Sequence, residues 1–258
     1  MEKDDEKIEK FLGRMTLEEK IGQTQLYHSP GGTDMSDLKD IIKKGQAGAI
    51  LNETRPGVIL ELQKASIEQS RLGIPLLFAR DVIHGFKTIF PINIGLAATF
   101  NPDLVRQGAD VASLEAASAG VNWNFAPMVD IARDPRWGRM AESFGEDPLL
   151  VTKMGLAMTE GFRGEGEKPR MASCAKHFAA YGATEGGRDY NTASVPEVEL
   201  WNIHFKPFMA LNEAGISTFM TGFNELNGIP ATGNEFLLRD VLKDRWDFRG
   251  FVVSDWAS

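Results

Sequence analysis

The feature that most constrains this chain is an alternation of short apolar runs with helix signals. The runs are Ala47–Leu51, Ile74–Ala79, Val121–Ala126, Met171–Lys176, Ile216–Thr221 and Gly250–Ser254. Each is too short for a helix, is near-continuously apolar or small, and is set one helix apart from the next. Strands covered on both faces read this way, so the pattern predicts parallel strands packed under helices, an α/β fold. The intervening segments carry helix punctuation. Thr16-Leu17-Glu18-Glu19 reads as a capping box, with Leu17 and Ile21 expected to begin an apolar face. Asn101-Pro102, Asp147-Pro148 and Val195-Pro196 each place proline where a first helical turn accepts it. A further helix is expected from about Asn234 through Leu237, Leu238, Val241 and Leu242.

Polar residues fall at the ends of these runs. Ile74–Ala79 leads into Arg80-Asp81, and Met171–Ala175 into Lys176-His177. Ile216–Thr221 leads to Asn224, and Phe251–Ser254 to Asp255-Trp256. In a TIM-type (β/α)8 barrel the C-terminal strand ends share one mouth where chemistry is done, whereas a doubly wound sheet gathers such groups only near its switch point. The barrel is the better fit, with about six strands legible. The length of 258 residues suits one domain over 1–258.

Composition narrows the function. Hydrophobic residues make up 43%, enough for a core, and the net charge of −8 argues against a nucleic-acid partner. The single cysteine, Cys174, excludes an internal disulfide framework and a cysteine-based zinc site. No run of ~18 apolar residues is present, so no membrane partner is expected. The start, MEKDDEKIEK, is charged where a secretory signal would be apolar, so no signal peptide is read.

Among the strand-end residues, Asp255 beside Trp256 suits attack on a sugar's anomeric carbon with an aromatic plane nearby; the plainer reading is an aspartate capping the next helix. Lys176 and His177 offer two donors to a polyhydroxyl ligand, or else are a solvated lysine and a core histidine. Asp81 can accept from two adjacent hydroxyls, with Arg80 or Arg139 holding it charged, or can be a salt bridge at a loop start. His84 reads as packed against its next loop. The stretch Arg133–Arg139 followed by Glu142–Pro148 is dense in charge and glycine, which fits either a binding loop or surface ion pairs. Gly186-Gly187-Arg188 lacks phosphate-binding spacing. Asp81, His84, His177 and Asp255 are metal-ligand types, but the histidines at 28, 84, 177 and 204 are scattered and no paired-histidine motif exists, so no metal is expected.

Several of these stretches, in order, resemble the N-terminal barrel domain of glycoside hydrolase family 3, in its bacterial β-glucosidase branch. They are Met15–Gln23, Ile74–Gly85, Arg133–Pro148, Lys176-His177-Phe178-Ala179-Ala180-Tyr181-Gly182, Asn224–Pro230 and Val253-Ser254-Asp255-Trp256. The resemblance implies a retaining β-glycosidase that releases terminal non-reducing β-D-glucosyl residues through a covalent glycosyl-enzyme on Asp255. It implies that Asp81, Arg139, Lys176 and His177 grip the sugar, that Glu142 buttresses them, and that Trp256 walls the next subsite. It implies no cofactor and a β-glucoside or oligosaccharide substrate. It further implies a barrel continuing past Ser258, with the acid/base residue in a following domain. On that reading 1–258 is a partial barrel whose open edges a complementary chain or self-association would cover. The loop Ala179–Asn191 carries no histidine to replace that acid/base, and Phe223 stands where some relatives have tyrosine. Relatives are often periplasmic or secreted, which leaves location open. The contrasting expectation is a catalytically inert barrel fragment that binds sugar or serves assembly.

Overall fold

The computed structural model describes residues 2–29, 35–166 and 170–258, which form two compact units. The first comprises residues 1–80 and 118–123. Along the chain it runs α1 (Glu2–Arg14), α2 (Leu17–Gln23), β1 (Leu26–His28), α3 (Ser36–Lys43), β2 (Ala49–Leu51), α4 (Pro56–Gln69) and β3 (Leu77–Arg80). Strands β1, β2 and β3 pair in parallel in that order. Ile42, Ile50, Leu62 and Phe78 form the centre of its apolar core. Strand β1 lies outside the six expected runs: three residues long and only partly buried, it has none of the apolar continuity that marks the others.

The capping box of α2 forms as expected. Thr16 Oγ1 accepts from the Glu19 amide at 3.3 Å, and Glu19 returns the bond to the Thr16 amide at 2.9 Å. The face of α2 does not follow expectation, because Leu17 and Ile21 are 68% and 53% exposed while Glu19 and Gly22 are buried. Two contacts explain the reversal. Glu19 takes a hydrogen bond from Arg71 Nε at 2.9 Å, and a Cβ on Gly22 would stand 2.3 Å from the Gly45 carbonyl oxygen. The helix therefore approaches the Gly45-Gln46 backbone by its glycine side. Gly22→Ala is expected to destabilise the fold by about 1–3 kcal/mol, read as a lower urea midpoint, since the obstructing atom is backbone.

The second unit comprises residues 81–117 and 124–258. It runs α5 (Asn93–Ala97), α6 (Pro102–Ala119), β4 (Trp123–Asn124, where the chain passes between units), α7 (Pro148–Arg163), β5 (Ala172–Phe178) and α8 (Glu197–Glu199). A π-helical turn, Leu200–His204, then joins α8 to α9 (Phe205–Glu213). Strand β6 (Thr218–Thr221), the small hairpin β7 (Glu225–Leu226) and β8 (Ile229–Pro230), a π-helical stretch Phe236–Arg245 and β9 (Phe251–Val253) complete it. Strands β5, β6 and β9 pair in parallel in that order. Parallel strands separated by helices make the class α/β. Two of the three proline signals hold: Pro102 and Pro148 open α6 and α7, and Asp147 caps α7 by accepting from the Leu150 amide at 2.7 Å, whereas Pro196 stands before the first turn, as the N-cap of the three-residue α8. The helix expected from Asn234 is π-helical, as its closing bond from the Trp246 amide to the Val241 carbonyl shows.

Phe178, at the end of β5, stacks on Phe205 and meets Phe208, Phe219 and Trp246 edge-on, which ties α9 and β6 to β5. His204 lies beside this cluster, 2% exposed, with its imidazole pushed down to about 4 by burial and secondarily by Arg133. The unfolded chain takes up a proton near pH 6.5 while the folded chain does not, so stability falls as pH drops from about 6.5 to about 4. His204→Gln is expected to remove a contribution on the order of 3 kcal/mol from that pH dependence, measured as the difference between the two proteins' urea midpoints across the window.

Candidate functional site

Strand β5 delivers the first two groups. Its end is buried, with Lys176 2% exposed and His177 fully buried, so neither is a solvated side chain. The Lys176 ammonium donates to Asp81 Oδ1 at 2.6 Å. Asp81 is placed by its neighbour: Asn124 Oδ1 accepts from the Val82 amide at 2.9 Å and Asn124 Nδ2 donates to the Val82 carbonyl at 3.1 Å. Arg80, expected to pair with Asp81, instead donates to Asn52 at 3.0 Å, and the ion pair to Asp81 comes from Lys176. Arg139, the other candidate partner of Asp81, turns to Glu142 and Asp255.

Asp255 follows β9 and is largely enclosed, its side chain 15% exposed. Its Oδ1 accepts from the Trp256 amide at 2.7 Å, while Oδ2 lies 3.3 Å from His177 Nε2 and 3.8 Å from Arg139 Nη1. Arg139 is locked by a fork of two bonds onto Glu142, at 2.7 and 3.0 Å, and its guanidinium sits over the Tyr181 ring. Tyr181 donates to Asp189, which also accepts from Trp137 Nε1 at 3.4 Å. Asp81 and Lys176 thus form one pair and Arg139, Glu142, His177 and Asp255 a second set of contacts, joined through the Lys176-His177 peptide within one unit, and Trp256, 62% exposed, follows Asp255.

Burial raises the Asp255 carboxyl above its ordinary range, against the Trp256 amide and the nearby Lys176 and Arg139 charges. Burial, with those same two cations, pushes His177 well below its usual value. The remaining charged motifs resolve to the plainer alternatives. Arg136 pairs with Asp134, and Arg133 with Glu199, as surface ion pairs. His84 Nδ1 bonds the Phe90 carbonyl at 3.0 Å. Among the described residues no group of three or more His, Cys, Asp and Glu side chains is placed to hold a metal ion.

The site also contains a carboxylate that lies at no expected strand end. Asp130 is fully buried, and its Oδ2 accepts from the His177 amide at 2.9 Å and lies 2.8 Å from His177 Nδ1. Its signal was a lone carboxylate inside the apolar stretch Met128-Val129-Asp130-Ile131-Ala132. Burial pushes its carboxyl up to about 7.

Residues 16–258 match the family model for the glycosyl hydrolase family 3 N-terminal domain. The chain belongs to glycoside hydrolase family 3. Among its family 3 relatives, the periplasmic β-glucosidase of Salmonella typhimurium is 45% identical over 95% of this chain and 32% of its own length. A β-xylosidase of Formosa agariphila is 34% identical over 85% of this chain and 32% of its own length. The crystal structure of a β-glucosidase from Listeria innocua aligns with TM-score 0.90 at 40% identity, covering 97% of this chain and 37% of that one. A Listeria innocua mutant in complex with laminaribiose aligns with TM-score 0.89 at 41% identity, over 98% of this chain and 37% of that one. The chain therefore spans about a third of the length of these family 3 proteins. The backbone likeness places it in the TIM-type α/β class.

Proposed function

We propose that this chain carries the nucleophile half of a retaining β-glycosidase site that acts on terminal non-reducing β-D-glucosyl residues. The observation that carries the reading is the setting of Asp255: a largely enclosed carboxylate at a strand end, with His177 at 3.3 Å, Arg139 at 3.8 Å and an exposed tryptophan next in sequence. In the first step an Asp255 oxygen forms a bond to the anomeric carbon as the bond to the leaving oxygen breaks. That oxygen takes a proton from an acid that the described residues do not contribute; the family resemblance assigns it to a following domain. Water then attacks the anomeric carbon and gives its proton back to the conjugate base of that acid, while the bond from the anomeric carbon to Asp255 breaks and frees the carboxylate; the two successive inversions retain configuration.

The other side chains divide binding from charge control. Asp81 accepts from neighbouring sugar hydroxyls and Lys176 donates to them, the two side chains holding one another in place by their ion pair. Arg139 offsets the charge on Asp255, and Glu142 fixes the guanidinium in place. Trp256 gives an apolar face for the ring or aglycone beyond the bond that breaks. The relatives named as β-glucosidases, and the complex with laminaribiose, support a β-glucoside or short oligosaccharide substrate. Higher identity to the Salmonella β-glucosidase than to the Formosa β-xylosidase favours glucosyl over xylosyl.

The test is an intact-mass spectrum after incubation with a 2-fluoro-glucoside bearing a good leaving group. One added fluorosugar on the wild type is the expected result. A folded protein that gains no mass would overturn the reading for this chain and leave the inert sugar-binding fragment.

A further inference from the structure

We propose that Asp130 is a positioning residue of this site: it holds the His177 ring with its proton on Nδ1, so that a bare Nε2 stands beside Asp255. The inference deepens the glycosidase reading and rests on it for the identity of the ligand, though not for the geometry. One oxygen of Asp130, Oδ2, lies 2.9 Å from the His177 amide and 2.8 Å from the ring Nδ1. The amide can only donate, so that oxygen accepts from it. As a carboxylate it has no proton to give, so it also accepts from the ring N–H, and the other ring nitrogen is left with its lone pair.

Asp130 is itself held. The Val129 amide donates to the Lys176 carbonyl at 2.8 Å, and Ser143 Oγ donates to the Asp130 carbonyl at 3.0 Å. On the other side the Tyr181 ring meets the imidazole edge-on at 5.4 Å between centroids, so the ring has little freedom to turn. The charged groups around the imidazole are Asp130, Asp255, Arg139 and Lys176, with Glu142 behind Arg139.

The consequence lies at Nε2. His177 Nε2 and Asp255 Oδ2 face each other at 3.3 Å, both buried and neither hydrogen-bonded among the described residues. Two acceptors in that position call for a ligand that brings O–H donors, as a sugar hydroxyl does. A ring carrying its proton on Nε2 would present a donor there instead and would compete with the sugar for Asp255. Asp130 thereby acts through His177 and does not touch the substrate.

The experiment uses the whole chain labelled with ¹⁵N in its four histidine rings, read by long-range ¹H–¹⁵N correlation at pH 8.5, where the Asp130 carboxyl is ionised. His177 signals are assigned by their loss in His177→Gln. The wild type is expected to show the proton on Nδ1. Asp130→Asn should keep it there, because an amide oxygen accepts from both N–H groups, whereas Asp130→Ala should let it move to Nε2. Capture of the 2-fluoro-glucoside should slow about tenfold to a hundredfold in Asp130→Ala, with substantial rescue in Asp130→Asn. A wild-type proton on Nε2 would overturn the proposal, as would an alanine variant with unchanged tautomer and rate. Should Asp130→Ala not fold, the wild-type and Asp130→Asn spectra decide, and a proton on Nε2 in either refutes it. No capture by the wild type would count against the glycosidase reading, while the tautomer pattern still judges Asp130.

Discussion

Asp255→Asn is expected to slow covalent capture of a 2-fluoro-glucoside by about 10³-fold or more, which corresponds to ~4 kcal/mol of lost transition-state stabilisation. An amide oxygen in the same place cannot form the glycosyl ester, yet it can still accept from the Trp256 amide, now at 2.7 Å from Oδ1. The loss should therefore come without loss of fold. Stability should move the other way. Burial raises the folded-state pKa of Asp255, so the carboxyl favours the folded state most below its unfolded value and loses that contribution as pH rises through the folded value. Above roughly pH 4 the wild type should thus fall progressively behind Asp255→Asn in urea midpoint. Intact mass and urea unfolding at pH 4 and pH 7 on the two proteins check both halves. Equal capture would remove Asp255 from the nucleophile role, and a variant less stable at both pH values would mean the carboxylate is structural.

The second large effect concerns Asp81 and Lys176, and it is asymmetric. The lysine side chain is 3% exposed and the aspartate side chain 45% exposed, at 2.6 Å from one another. Asp81→Ala leaves a buried ammonium without its nearest counter-charge, and about 3 kcal/mol of stability should be lost. Lys176→Met replaces the buried cation by an apolar chain of similar shape and leaves Asp81 to water, so stability should change by less than about 1 kcal/mol. Both variants should weaken sugar capture by about 10²-fold, since each removes a charged hydrogen-bond partner of a hydroxyl. Urea midpoints separate the two variants, and the concentration dependence of capture unites them. If Lys176→Met proved the less stable, the pair would be a structural salt bridge and not a binding pair held at a cost in stability.

The α/β class and the residues gathered at the candidate site were legible because each reading rested on local chemistry. Apolar runs ending in Asp81, Lys176-His177 and Asp255 mark strand ends by themselves, and Thr16 and Asp147 cap their helices as short-range hydrogen bonding requires. Other features depended on partners distant in sequence. Leu17 and Ile21 look like the inner face of α2, but Arg71 on Glu19 and the Gly45 backbone against Gly22 turn that helix the other way. Strand β1 has no apolar continuity and is a strand only through its pairing with β2. Arg80 and Arg139 were equal candidates for Asp81, and the ion pair went to Lys176, ninety-five positions along the chain.

What the sequence by itself determined was which groups stand at the ends of which strands, since burial and capping are read within a few residues. Only the tertiary structure decided how those groups are coupled. It put Asp130 behind His177, forked Arg139 onto Glu142 and set Asp255 against both His177 and Arg139. The reason is physical: a side chain's charge and hydrogen-bonding state depend on atoms within about 4 Å, and in a chain of alternating strands and helices those atoms come from distant segments.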